Sequence, residues 1–121
     1  MLLFINFRLI IIIGDHMVLS YQNKHINLIE CKSFVSRLKG FMGKKSIDKA
    51  LMFKNCNSIH TFFMKEYIDV ILCDKNNNIL YYYPNLKNNK IILPKKNVYI
   101  VYECPTNYFK FKINTKVQVI K

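Results

Sequence analysis

From His25 to Cys31 apolar and polar side chains roughly alternate, a period-two pattern that predicts a first β-strand with one buried face. Ser33 then stands where an N-cap belongs, with Phe34, Leu38 and Phe41 at helical spacing and Gly40 at the stop, so a short helix is expected over Ser33–Lys39. The stretch Ile59 to Asp74 is rich in β-branched and aromatic residues. Within it Ile68 to Cys73 is apolar on both faces, as an interior strand must be. Asp74-Lys75-Asn76-Asn77-Asn78 supplies the asparagines of a tight hairpin, which returns Ile79 to Tyr83 antiparallel. Pro84 to Lys90 reads as a polar loop, Ile91 to Leu93 as a short strand and Val98 to Cys104 as a second two-faced strand ended by Pro105. A brief helix over Asn107–Ile113 and a closing strand over Lys116–Ile120 complete the pattern. Six or so short strands with one or two short helices make the fold class mainly β, a compact antiparallel barrel or sandwich.

The start of the chain does not join this pattern. Met1 to Ile13 is an apolar run interrupted by Asn6 and Arg8, too short to cross a bilayer unaided and without the leading charge and small-residue cleavage site of a signal peptide. Residues 1–24 are therefore expected to be an extension, or to reflect a start at Met17, with a single β-rich domain over 25–121. A cytoplasmic monomer is the expectation, and export or membrane association through residues 1–13 is the alternative.

With 121 residues, 51% of them apolar and only three glycines and three prolines, the chain has one domain's worth of core. The net charge of +12 falls entirely in residues 31–121. It comes from 17 lysines against two arginines, beside 14 asparagines and 17 isoleucines, a usage that tracks A/T-rich codons as much as any partner. Cys31, Cys56, Cys73 and Cys104 lack the paired spacing of a metal site, so no metal or other cofactor is implied and four reduced thiols are expected.

Candidate chemistry is sparse. His60, Asp69 and Glu103 are the polar groups set in apolar strands, and Arg37 is the natural clamp for one of the two carboxylates. Joined, the four would form an acid/base site; separately, each has a structural task. No nucleophile elbow, phosphate loop or zinc-protease motif occurs. Lysines interleave with aromatics at Phe109-Lys110-Phe111-Lys112, and Tyr81-Tyr82-Tyr83 precedes Lys87, Lys90, Lys95 and Lys96, which leaves single-stranded nucleic-acid binding open as a third reading. The reading favoured over both is a non-catalytic binding or assembly domain.

Four blocks, "RLKGFMGK" at 37–44, "ALMF" at 50–53, "IHTFFMKEYIDVILCD" at 59–74 and "YECP" at 102–105, resemble in order and spacing the bacterial and archaeal family of domain of unknown function 192. The resemblance covers residues 25–121. It implies a barrel-like or jelly-roll-like β domain, no known reaction, and importance for Arg37, Gly40, Met42, Met52, Phe53, His60, Thr61, Met64, Asp69, Glu103 and Pro105. Tyr67 stands where the family has Pro, Asn107 where it has Gly, and Asn114-Thr115 where it has Gly-Asp. Asparagine adopts left-handed backbone, so those turns are expected to survive.

Overall fold

The computed structural model describes residues 17–33 and 47–121. Nine strands follow in chain order: β1 Met17–Tyr21, β2 Lys24–Glu30, β3 Ala50–Lys54, β4 Ile59–His60, β5 Ile68–Cys73, β6 Ile79–Leu86, β7 Ile91–Ile92, β8 Ile100–Pro105 and β9 Gln118–Ile120. Seven of them form one sheet in the order β6-β5-β8-β3-β2-β1-β9, curled into a half-barrel, while β4 and β7 make a separate two-stranded ladder. All pairings are antiparallel except β2 with β3. Among the described residues there is no helix, and hence none long and apolar enough to cross a membrane.

The central strands β5 and β8 explain the layering. Every residue of β5 is buried, so both faces of the sheet must be covered. On the inner face Leu19, Ile71, Tyr102 and Cys104 pack with Phe109, Phe111 and Val117. Phe111 closes the curl, its ring centroid 4.9 Å from that of Tyr21 at one end of the sheet and 5.4 Å from that of Tyr82 at the other. On the outer face Leu51, Val70, Leu72 and Val101 pack with Met64, Ile92 and Val98, carried by the β4–β7 ladder and its flanking loops.

The two-faced strands and the hairpin lie where the pattern placed them. Asp74 organises that hairpin, its Oδ1 accepting the amides of Asn76 and Asn78 at 2.9 Å each and its Oδ2 the Asn78 side-chain amide at 3.0 Å. Burial pulls the Asp74 carboxyl upward, but the side-chain and backbone hydrogen bonds from Asn78 and that from the Asn76 amide outweigh it and hold the group below its ordinary value.

Several expectations are corrected. Residues 17–24 are part of the sheet: β1 and β2 form a tight hairpin through Gln22 and Asn23, both left-handed with φ of 50° and 64°, and Leu19 is 0% exposed. A five-residue strand begins at Ala50, where the sequence offered no alternation because both faces are buried. The turn after β8 runs into extended chain over 109–112 rather than a helix, since Phe109 and Phe111 must both reach the inner core. β6 continues through Pro84 to Leu86 with a register irregularity, so the expected loop starts later. The helix expected over Ser33–Lys39 lies outside the described residues beyond Ser33.

Leu19→Ala should destabilise the protein by ~2–5 kcal/mol in a urea melt, the cost of a cavity in a packed core; an unchanged midpoint would place β1 outside the cooperative unit. Asp74, with its pKa held low in the fold, contributes stability that is present above the unfolded carboxylate pKa and lost as pH falls through the folded one. The stability gap between wild type and Asp74→Ala should therefore shrink on acidification, as read by thermal melts from neutral pH downward.

Candidate functional site

Of the four residues proposed for acid/base chemistry, the three that are described, His60, Asp69 and Glu103, are not gathered into one site. Asp69 and Glu103 sit on adjacent strands, but the β5–β8 register pairs Asp69 with Cys104 and Val70 with Glu103. Side chains alternate along each strand, so Asp69 faces the inner core with Ile71 and Cys104 while Glu103 faces the outer core with Val70 and Val101. His60 belongs to the separate β4–β7 ladder, and Arg37 and Gly40 lie outside the described residues.

Asp69, 1% exposed, is fully engaged. Its Oδ1 accepts the Asn85 amide at 2.8 Å and the Thr106 hydroxyl at 3.1 Å, and its Oδ2 accepts the Asn107 amide at 3.0 Å. Thr106 also bonds the Asn85 side chain. Asn85 and Asn107 are left-handed, with φ of 53° and 63°, so one carboxylate ties the β6 irregularity to the turn that follows β8. Asn107 thus takes a left-handed conformation that asparagine tolerates, and Asn114, with φ of 70°, does the same before the last strand, as expected of those two turns.

Thr61 is a second buried clasp. Its hydroxyl donates to the Lys87 carbonyl at 2.6 Å and accepts the Lys90 amide at 2.8 Å, and its own amide donates to the Lys90 carbonyl at 2.9 Å. The next loop is closed by the Met64 amide donating to Asn88 Oδ1 at 3.2 Å, with Met64 itself buried in the outer core. His60 serves the same loop: its Nδ1 accepts the Phe62 amide at 3.2 Å and its ring lies 5.0 Å from the Phe62 ring.

What these clasps hold up is exposed. His60 pairs with Ile91 and Ile59 with Ile92, and because Ile59 and Ile92 turn toward the outer core, His60 and Ile91 turn away from it. Phe62, Phe63, Ile91 and Leu93, carried by this ladder and the loops that flank it, are 37%, 72%, 60% and 68% exposed. Phe63 is also left-handed, with φ of 62°, the one aromatic residue among the positive-φ positions described. A bulky side chain there costs ~1–2 kcal/mol. The two loops carry Lys65, Lys87, Lys90, Lys95 and Lys96 against Glu66, a net of +4. Sequence pattern alone missed this tip because Phe62 and Phe63 look like strand core and nothing in the sequence signals a positive φ at a phenylalanine.

Other candidates lack this character. Phe109 and Phe111 are buried, so the interleaved Lys/aromatic stretch is no stacking platform. No disulfide joins the cysteines. Burial pushes the Cys104 thiol well up, with the nearby Asp69, Glu103 and Cys73 adding to it, and burial followed by Asp74 raises Cys73, which makes both poor nucleophiles. Burial and then Asp69 raise the Tyr82 hydroxyl. A cleft of about 420 Å³ lined by Val18, His25, Ile26, Asn27, Ile47, Asp48, Pro105 and Tyr108 contains none of His60, Asp69 or Glu103.

The family model of domain of unknown function 192, described as an uncharacterized ACR, matches residues 17–119. The chain belongs to this family. The match begins at β1, in agreement with the sheet. No curated protein matches the sequence. Two solved structures share the fold: a protein of unknown function from Novosphingobium aromaticivorans, with a TM-score of 0.70 at 10% identity over 85% of this chain and 83% of that one, and a chain from Sinorhizobium meliloti named as a putative transcription regulator, with a TM-score of 0.69 at 12% identity over 86% and 92%. Within the stretch 59–74, Thr61, Met64 and Asp69 are held by the contacts above, while Phe62, Phe63 and Tyr67 are its exposed aromatic residues.

Asp69→Ala should cost at least ~2 kcal/mol, because it removes the acceptor of the Asn85 and Asn107 amides and one of the two acceptors of the Thr106 hydroxyl. A urea midpoint equal to wild type would show that the two asparagine turns do not depend on this carboxylate.

Proposed function

We propose that this member of the family is a small non-catalytic binding domain and that its binding face is the tip formed by residues 60–64 and 90–93. The observation that carries the reading is Phe63. Its backbone is held in a conformation that a phenylalanine adopts at a cost, and its side chain, mostly in solvent, returns nothing to the core. Strain maintained by surrounding clasps at an exposed residue is what a site built to present that side chain looks like. Thr61, Asn88 and His60 supply the clasps and Ile91 and Leu93 widen the surface. An exposed apolar cluster of this kind, rimmed by charge, marks an interaction surface. An acid/base enzyme finds less support, because its two carboxylates face opposite sides of the sheet and Asp69 has its hydrogen bonds filled internally.

Phe63→Gly should melt no lower than wild type, since glycine takes φ near 60° without cost and little packing is removed. A marked fall in melting temperature would make Phe63 a structural residue and remove the argument. To find what the face meets, a photo-crosslinking amino acid placed at 63 or 93 in the native cell should give adducts, and the same probe at exposed Ile113 should not. Equal labelling at all three positions, or none at 63 and 93, would overturn the assignment.

A further inference from the structure

Resting on that reading of the tip, we propose that the tip's partner is an anionic lipid surface, with Phe62, Phe63, Ile91 and Leu93 entering the headgroup region while the surrounding lysines meet lipid phosphates. Two features select lipid over a protein or a nucleic acid. The first is what the tip does not offer. Three polar groups of its loops are spent internally: the Thr61 hydroxyl on Lys87 and Lys90, Asn88 Oδ1 on the amides of Met64 and Asn89, and His60 Nδ1 on the Phe62 amide. A protein epitope or a base edge is recognised through directional donors and acceptors, and these three serve the loops instead.

The second feature is what the tip does offer. Half of its apolar set is aliphatic, and Ile91 and Leu93 cannot stack on bases, whereas all four side chains partition into an acyl boundary. The charges are lysine ammoniums on long apolar stems, without a planar fork, and Lys65, Lys87, Lys90 and Lys96 are exposed with no carboxylate within salt-bridge distance among the described residues. Such groups favour a diffuse array of phosphates, and lysines beside an anionic leaflet are drawn to it electrostatically. The combination matches a shallowly inserted, electrostatically assisted membrane contact.

The test is co-sedimentation of the full chain with vesicles of phosphatidylcholine alone or with about one third phosphatidylglycerol. Binding should be at least about tenfold stronger to the anionic vesicles, fall about tenfold in the double variant F63S/L93S, and fall similarly in K87E/K90E. Far-UV circular dichroism and a thermal melt check that each variant folds; F63G replaces the first variant if F63S/L93S does not. Wild-type protein that stays in the supernatant with anionic vesicles overturns the proposal. So does a folded tip variant that binds as wild type, which would assign lipid contact to another part of the chain. The reading of the tip as a binding face fails separately: protein or nucleic-acid adducts at positions 63 and 93 without vesicle binding reject lipid and keep the face, whereas absence of any adduct there rejects the face itself.

Discussion

The fold depends on two central strands that have no polar side. Because β5 and β8 are buried front and back, the chain cannot stop at a single curled sheet; each face needs its own cover. The inner cover is the phenylalanine strap at 109 and 111, drawn across the half-barrel until it touches aromatic rings from both ends of the sheet. The outer cover is the β4–β7 ladder with its loops, which contributes Ile92 and Met64 inward. Since only one side of a two-residue ladder can face the core, the other side is turned to solvent. The apolar tip is thus the back of a structural lid.

The same constraint determines which parts were legible in the sequence. Ile68–Cys73 and Val98–Cys104 stand out because a run of six or seven residues between turn signals, apolar but for a single carboxylate, fits little besides a strand covered on both faces. The hairpin at 74–78 was legible through its asparagines. By contrast Ala50–Lys54 has no alternation, and Met17–Tyr21 follows an apolar run that obscures where the sheet begins. A brief helix is expected over Asn107–Ile113, yet Phe109 and Phe111 are both needed in the inner core and the chain there is not helical. Of the candidate site, His60, Asp69 and Glu103 were visible as polar residues among apolar neighbours and Thr61 through the family resemblance, but strand alternation alone does not say that adjacent β5 and β8 present Asp69 and Glu103 to opposite faces. That needed the register. The strain at Phe63 is a backbone property with no compositional trace.

Hydrogen bonding follows an economy of its own. Asp69 and Asp74 each accept at least two backbone amides from asparagine-rich turns, and Thr61 bridges two loops with a single hydroxyl. Few acidic residues exist in this chain, seven in all, and two of them are committed to holding turns rather than to balancing the lysines. Both are counted in the formal +12, and of the two Asp69 is withdrawn from the surface while Asp74 is not.

Eight of the ten left-handed positions described are asparagines, and the described residues contain no glycine. Compared with glycine, asparagine leaves the unfolded chain less freedom to lose, so these turns form at a smaller entropic penalty. It also introduces a clock. The asparagine amide is thermolabile, and its loss leaves a carboxylate, as aspartate or as the isoaspartyl isomer. Every such event would add one negative charge, and conversion of all eight would bring the formal +12 down to about +4. An old copy of this protein would then differ electrostatically from a newly made one, so any contact that relies on its positive charge would weaken with the age of the molecule.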